Sequence, residues 1–177
     1  VNIHTWRFGD NSKAPSVDIY ITGFPCQPFS SAGKQQGFQD EKGRGTLFSH
    51  IFEYIKLKRP KVFILENVQG LTSLNNGECL KYIIQQLAGI KDLRSKRQSY
   101  TIHHQLLNTK DHGIPHNRPR WYCVGIRKDC YRAGPSGQRF QFPSPIPCPS
   151  IDEILDDFGE KSDGLSYKRL SPTAQKL

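Results

Sequence analysis

The chain has 177 residues, enough for one domain with a hydrophobic core. Only 36% of the residues are hydrophobic, and no long apolar run occurs, which excludes a membrane-spanning segment and predicts much loop outside the core. The net charge of +9 favours an anionic partner, nucleic acid first, although a merely soluble basic surface is also compatible with it.

The cysteines are odd in number, and none forms a C-x-x-C pair. This pattern disfavours a disulfide framework and a zinc finger, so we expect reduced thiols, an intracellular location and no bound metal. The five residues are Cys26, Cys79, Cys123, Cys130 and Cys148.

The sequence up to residue 67 predicts a strand, a helix and a second strand. Residues 17–23 (VDIYITG) are apolar and end in glycine, as in a buried strand, and residues 61–67 (KVFILEN) form a second one. Residues 46–58 predict an amphipathic helix with Thr46 as a possible N-cap. One face of that helix carries Leu47, Ile51, Tyr54, Ile55 and Lys58.

Residues 77–90 predict a second helix, which Gly89 ends. Its helical spacing brings together Leu80, Ile83, Ile84 and Leu87. Residues 99–108 and 120–128 predict two more strands, antiparallel to each other. The alternation of strands and helices indicates an α/β fold with parallel β-α-β units and an open, covered sheet. Beyond residue 130 the composition predicts loop, with a short acidic helix at 150–158.

Chemically reactive side chains follow the first two strands. Cys26 comes three residues after the first strand, and Glu66 and Asn67 close the second. Because ligands bind beyond the carboxyl ends of strands in such sheets, we expect a thiol and a carboxyl at one edge. Pro25 and Pro28 restrict the backbone around the cysteine, which favours a nucleophile over a buried, inert thiol. For the other four cysteines the inert role is the expected one.

Three further features each have two interpretations. Burial would raise the pKa of Glu66 and make it a proton donor, or Glu66 simply reaches solvent at the strand end. Arg118 and Arg120 can clamp a phosphate or a carbonyl oxygen from one side of a strand, or they are surface charges. The glycine-rich segment 30–45 is a mobile lid or a connector.

Four ordered motifs together resemble the cytosine-5 DNA methyltransferase family. The resemblance is carried by PCQPFSSAG (25–33), RGTLF (44–48), ENV (66–68) and Asn108 with GIPHNRPR (113–120), within residues 17–128. It implies part of a Rossmann-like, S-adenosylmethionine-dependent methyltransferase sheet, namely its second half with flanking helices. It also implies DNA as the partner and cytosine flipped out of the duplex. A rigid thiol and a mobile loop would both serve that reaction.

The resemblance also implies residue roles. Cys26 would be the nucleophile at C6 of cytosine, and Glu66 would bind the N3 and amino edge and protonate N3. Arg120 would hold O2 with support from Arg118. Asn67 and Pro25 would shape the pocket on the cofactor side, and Leu47 would touch S-adenosylmethionine. The residues expected to approach the DNA are Gln27, Ser30 and Ser31.

Two departures from the family pattern matter. His116 stands where the family usually has Gln, which we expect to tune the site. The family's glycine-rich S-adenosylmethionine loop would precede Val1, and its closing motifs would follow the last residue. With no methionine in the sequence, this predicts the catalytic middle of a longer protein, which would bind the cofactor poorly by itself. Residues 1–130 would belong to the catalytic domain and 131–177 to the start of the target-recognition region.

Other functions remain open from the sequence. One branch of the family acts on tRNA, and a catalytically silent DNA-binding relative is a further alternative, although such a scaffold has no use for the cysteine, the glutamate and both arginines. A cysteine phosphatase needs an arginine where this chain has Ala32. A methyltransferase of this kind would work in the nucleus of a eukaryote or the cytoplasm of a bacterium.

Overall fold

Four strands and their connecting helices make up most of the described chain. The computed structural model describes residue 11 and residues 13–24, 47–132 and 139–150. None of the described helices is long and apolar enough to cross a membrane. The elements are β1 (Ile19–Gly23), α1 (Leu47–Lys58), β2 (Val62–Val68), α2 (Gly70–Ser73), a 3-10 turn (Leu74–Gly77), α3 (Glu78–Ala88), β3 (Tyr100–Asn108), a 3-10 turn (Thr109–Asp111) and β4 (Pro119–Arg127).

The strands form one mixed sheet in the order β1-β2-β4-β3. β1 and β2 are parallel, with Gly23 opposite Glu66, whereas β4 is antiparallel to both β2 and β3. The predicted antiparallel pairing of the last two strands is therefore confirmed. The described chain contains two of the expected parallel β-α-β units: β1-α1-β2, whose strands are neighbours, and β2-α3-β3, whose strands run in the same direction on either side of β4. This topology brings the carboxyl ends of β1 and β2 to the same edge as the start of β4.

One face of the sheet is covered by the helices. α1 and α3 bury their apolar stripes against it, and the ring of Tyr54 stacks on that of Tyr20 in β1 at 4.4 Å. Phe63 and Leu65 of β2 are fully buried beneath them. The helix residues in this core are Phe48, Ile51, Tyr54, Ile55, Cys79, Ile83 and Leu87.

On the opposite face of the sheet, the structure contradicts the prediction of a buried first strand. The first strand was expected to be buried, but Ile19 and Ile21 are 59% and 69% exposed. β1 lies at the edge of the described sheet, and no described element covers this face of it, whereas Tyr20 on the other face packs against α1. Three predictions fall on residues that lie wholly or almost wholly outside the described part of the chain, and they stay predictions. They are the N-cap role of Thr46, the lid or connector at 30–45 and the acidic helix at 150–158.

The second predicted helix is preceded by a turn that the sequence pattern did not indicate. Asn75, Asn76 and Gly77 have φ angles of 50°, 55° and 84°, and they reverse the chain before α3 begins. Asparagine and glycine adopt this left-handed conformation more readily than other residues. The predicted end is confirmed, because the N–H of Gly89 donates to the carbonyl groups of Gln85 and Gln86.

The chain returns to the sheet after β4. The ring of His103 in β3 stacks with that of Tyr131 at 6.1 Å and lies 5.0 Å from that of Phe140. The backbone N–H of Phe140 donates to the Tyr131 hydroxyl at 3.1 Å. Further on, Ile146 forms a bridge with His112, beside the end of β3. These contacts fix the path of residues 139–146 toward the edge where β1 and β2 end.

Gly125 provides a test of the packing in the sheet. A Cβ atom at this position would lie 2.0 Å from the ring of Phe63, its partner in the β2–β4 register. Gly125→Ala is expected to destabilise the fold by about 1–3 kcal/mol, because the buried ring has to shift. Urea unfolding measures the loss.

The control is a double-mutant cycle with Phe63→Leu, which removes the clash partner. The smaller side chain should recover part of the stability that Gly125→Ala removes. Strictly additive losses, or an unchanged unfolding midpoint for Gly125→Ala, would contradict this packing.

Candidate active site

An acidic and a basic side chain meet at the carboxyl end of β2. The Oε1 atom of Glu66 lies 3.0 Å from Nε of Arg120, near the start of β4. The side chains retain 35% and 19% exposure, so both are accessible to a ligand. Together they present carboxylate acceptors and guanidinium donors to one small planar molecule.

Gly23 makes room for this carboxylate. It is the last residue of β1 and lies opposite Glu66 in the parallel register. A Cβ atom at Gly23 would approach Oε2 of Glu66 to 3.2 Å, closer than side chains normally pack. Because glycine has no side chain, Gly23 leaves space for the carboxyl group of Glu66.

The side chain of Asn67 joins the ends of the two parallel strands. Its Nδ2 donates to the carbonyl oxygen of Phe24 at 3.2 Å, and its Oδ1 accepts the Val68 N–H at 2.9 Å. Asn67 is 1% exposed, and Phe24 is buried with its ring 5.8 Å from that of Phe48. These contacts hold the chain at Phe24, which directly precedes the Pro-Cys-Gln motif in the sequence.

This anchoring bond was missed by the sequence analysis, which placed Asn67 in the cofactor pocket. The signal was a polar residue that continues a buried apolar strand, since a buried amide needs hydrogen-bond partners. Its amide group is used in backbone bonds in this structure. A role for Asn67 toward the cofactor stays a prediction.

The loop before β4 is held by Asn108. Its Oδ1 accepts the backbone N–H of Arg118 at 2.8 Å, and its Nδ2 donates to Oδ1 of Asn117 at 2.7 Å. Arg118 precedes the strand and is exposed, whereas Arg120 lies within it. His116 is exposed, and its carbonyl oxygen accepts a hydrogen bond from the Thr109 hydroxyl.

The structure thus brings Glu66, Arg120 and Asn67 to one edge, with Arg118 on the adjoining loop. Leu47 is the first residue of α1 and is partly exposed. The remaining predicted site residues lie outside the described part of the chain, and their roles stay predictions: Pro25, Cys26, Gln27, Ser30 and Ser31.

Of the four described cysteines, two have the buried environment that was expected of all four, and two do not. Cys79 and Cys123 are buried, and burial raises the pKa of the Cys123 thiol to about 12. Cys130 is partly exposed and Cys148 is exposed. In the described part of the chain, no three His, Cys, Asp or Glu side chains are grouped as metal ligands would be.

Comparison with known proteins agrees with the motifs. The family model described as "C-5 cytosine-specific DNA methylase" matches residues 1–174. The chain belongs to this DNA methylase family. The Type II methyltransferase M.HaeII of Haemophilus aegyptius is 39% identical over 97% of this chain and 52% of its own length. The Type II methyltransferase M.HhaI of Haemophilus parahaemolyticus is 40% identical over 92% of this chain and 46% of its own.

Solved structures support the fold of this DNA methylase family member. The Entamoeba histolytica methyltransferase EhMeth superposes with a TM-score of 0.52 at 20% identity, over 79% of this chain and 39% of that one. A mutant of DNMT2 from Spodoptera frugiperda gives 0.52 at 22% identity, over 89% and 44%. The similarity confirms a partial Rossmann-like sheet. The chain spans about half the length of the curated relatives it matches.

Thiol alkylation tests the described cysteines. In the folded protein at pH 8, iodoacetamide is expected to modify Cys148 within minutes and to leave Cys79 and Cys123 unmodified, because both are buried and the thiolate is the reactive form. Peptide mass spectrometry reads out each site. Urea should expose all three cysteines equally, and rapid modification of Cys123 without urea would contradict its burial.

Proposed function

We propose that this protein is a DNA (cytosine-5)-methyltransferase that forms a covalent adduct between Cys26 and C6 of a flipped-out cytosine. The observation that carries the proposal is the Glu66–Arg120 pair at 3.0 Å, at the edge where β1 leads into the Pro-Cys-Gln motif. The membership of the family supports it.

The pair suits the hydrogen-bonding edge of cytosine. A carboxyl group at Glu66 can accept from the exocyclic amine and donate a proton at N3, and the guanidinium of Arg120 can donate to O2. A proton at N3 withdraws electrons from the ring, which favours attack at C6. Arg118, held by its backbone N–H to Asn108, would reinforce Arg120 from the adjoining loop.

Cys26 would perform the covalent step. Its thiolate adds to C6, and the electron density released into the ring makes C5 nucleophilic. After C5 has gained the methyl group, its proton leaves to a base and the thiolate is expelled from C6, which restores the aromatic ring. The bond from Asn67 to the Phe24 carbonyl would fix the start of the loop that carries this thiol.

The methyl group would come from S-adenosylmethionine, which supplies an electrophilic methyl when it is bound and would be released as S-adenosylhomocysteine. The described residues fit this cofactor in part. Leu47 keeps an aliphatic side chain partly exposed at the start of α1, near the edge that carries Glu66, which suits apolar contact. Asn67 would contribute to cofactor binding indirectly, because its amide binds the buried backbone carbonyl of Phe24.

DNA is the proposed substrate, because the base has to leave the duplex for the thiol to reach C6. The relatives named Type II methyltransferases suggest a restriction-modification setting. tRNA is the alternative substrate. Transfer of a labelled methyl group to duplex DNA and to tRNA, measured side by side in the natural protein that contains this chain, separates the two, and preference for tRNA would overturn the DNA assignment.

Replacing the nucleophile should abolish the reaction. Cys26→Ser is expected to lower methyl transfer to the background level, because a hydroxyl is a far weaker nucleophile than a thiolate. Labelled methyl incorporation into DNA measures the rate. Cys148→Ser is the matched control at an exposed cysteine and should keep full activity. Undiminished transfer by Cys26→Ser would refute the covalent mechanism.

Replacing the acid should slow the reaction strongly. Glu66→Gln is expected to reduce kcat by about 10²–10⁴-fold, since the amide cannot protonate N3 and loses its ion pair with Arg120. Glu78→Gln is the control, because Glu78 is also paired with a base, Lys81, but on the exposed side of α3. A Glu66→Gln rate within about threefold of the wild type would remove the proposed role.

A further inference from the structure

Many basic residues of the described part of the chain lie at the end of the sheet opposite the candidate active site. Basic residues from three separate stretches of sequence meet where β2 begins, because α1 ends there, β3 begins there and β4 ends there. We call this surface the basic end. Its ten basic residues are Lys56, Lys58, Arg59, Lys61, Lys91, Arg94, Lys96, Arg97, Arg127 and Lys128.

Four described acidic residues accompany them, so the basic end holds a net charge of +6. Each of the four pairs with one cation: Asp18 with Lys61, Glu53 with Lys56, Asp92 with Arg59, and Asp129 with Arg127. Arg94, Lys96 and Arg97 are exposed and form no ion pair with a carboxylate in the described part of the chain.

The loop that carries these three cations is held in shape by Asp92. Oδ1 of Asp92 accepts the backbone N–H groups of Arg94 and Ser95, at 3.0 and 2.7 Å. Its Oδ2 lies 2.9 Å from the guanidinium of Arg59, which follows α1. These hydrogen bonds, with the Ser95 backbone N–H foremost, lower the pKa of Asp92. The loop that carries Arg94, Lys96 and Arg97 is therefore held in one conformation at the surface.

The composition of the basic end suits a phosphate backbone better than a protein. Protein interfaces are depleted in lysine and have an apolar centre. Leu93, the large apolar residue of the loop, is 77% exposed and lines a groove between α1 and α3. Lys56 and Lys91 of the basic end also line this groove, so it is not a purely apolar centre. The cations outside that groove offer guanidinium forks and ammonium groups, which match the regularly spaced phosphates of a duplex.

We propose that the basic end is a second contact surface for duplex DNA, which binds the phosphate backbone without regard to sequence. The ends of β2 are about 20 Å apart, so this surface is separate from the edge that carries Glu66 and Arg120. It holds a segment of DNA outside the target site and contributes affinity that depends steeply on salt.

The test measures binding to a duplex of about 30 base pairs of dA and dT, over a range of salt concentrations. This probe contains no cytosine, so its result does not depend on the proposed methyl transfer. For Arg97→Gln the slope of log K against log salt should become shallower by about 0.9, and for Arg94→Gln with Arg97→Gln by about 1.8. Saturating kcat on target DNA should stay unchanged.

Lys81→Gln is the matched control, because it removes one exposed cation from α3 outside the basic end. It should change the slope by less than half as much as Arg97→Gln does. If the double variant keeps the wild-type slope, the proposal is overturned and an acidic protein becomes the partner class for this surface. If Lys81→Gln matches Arg97→Gln, total charge explains the effect and the proposal is also overturned.

Discussion

The candidate site depends on the amide of Asn67, which joins the end of β2 to Phe24, the residue that follows β1. One oxygen and one nitrogen of this buried side chain bond to backbone groups of Val68 and Phe24. Without them, the buried carbonyl group of Phe24 and the partly buried N–H group of Val68 would lack these partners, which is costly. The same bonds hold the chain at Phe24, so the end of β2 and the chain that follows β1 are fixed by one side chain.

The rest of the site follows from the direction of β4. Because β4 is antiparallel to β2, its first residues lie beside the last residues of β2, and Arg120 reaches Glu66 from a neighbouring strand. The two side chains come from positions 54 residues apart, and a short ladder of backbone hydrogen bonds sets the distance between them. A guanidinium held in this way needs little rearrangement to bind a planar base.

The local sequence pattern predicted well where the strands and helices begin and end. It predicted less well how they are arranged in the fold. The strand ends at Gly23 and Asn108 and the helix end at Gly89 follow from apolar periodicity and glycine placement, and their observed positions agree within two residues or better. The exposure of Ile21 could not be read from its apolar neighbours, because burial depends on what packs against each face. The basic end could not be predicted from the sequence for a related reason. Its cations come from stretches that are far apart in the sequence, and the strand order brings them together.

β4 places strict limits on changes in chain length. Arg120 and Arg127 are seven positions apart, an odd number, so they project from opposite faces of the strand: one pairs with Glu66, and the other donates to the carbonyl oxygen of Arg59. A single-residue deletion between them would turn one of the two to the wrong face and displace Gly125 from the ring of Phe63. Natural variation in this strand should therefore consist of substitutions, with insertions and deletions confined to the loops at its two ends.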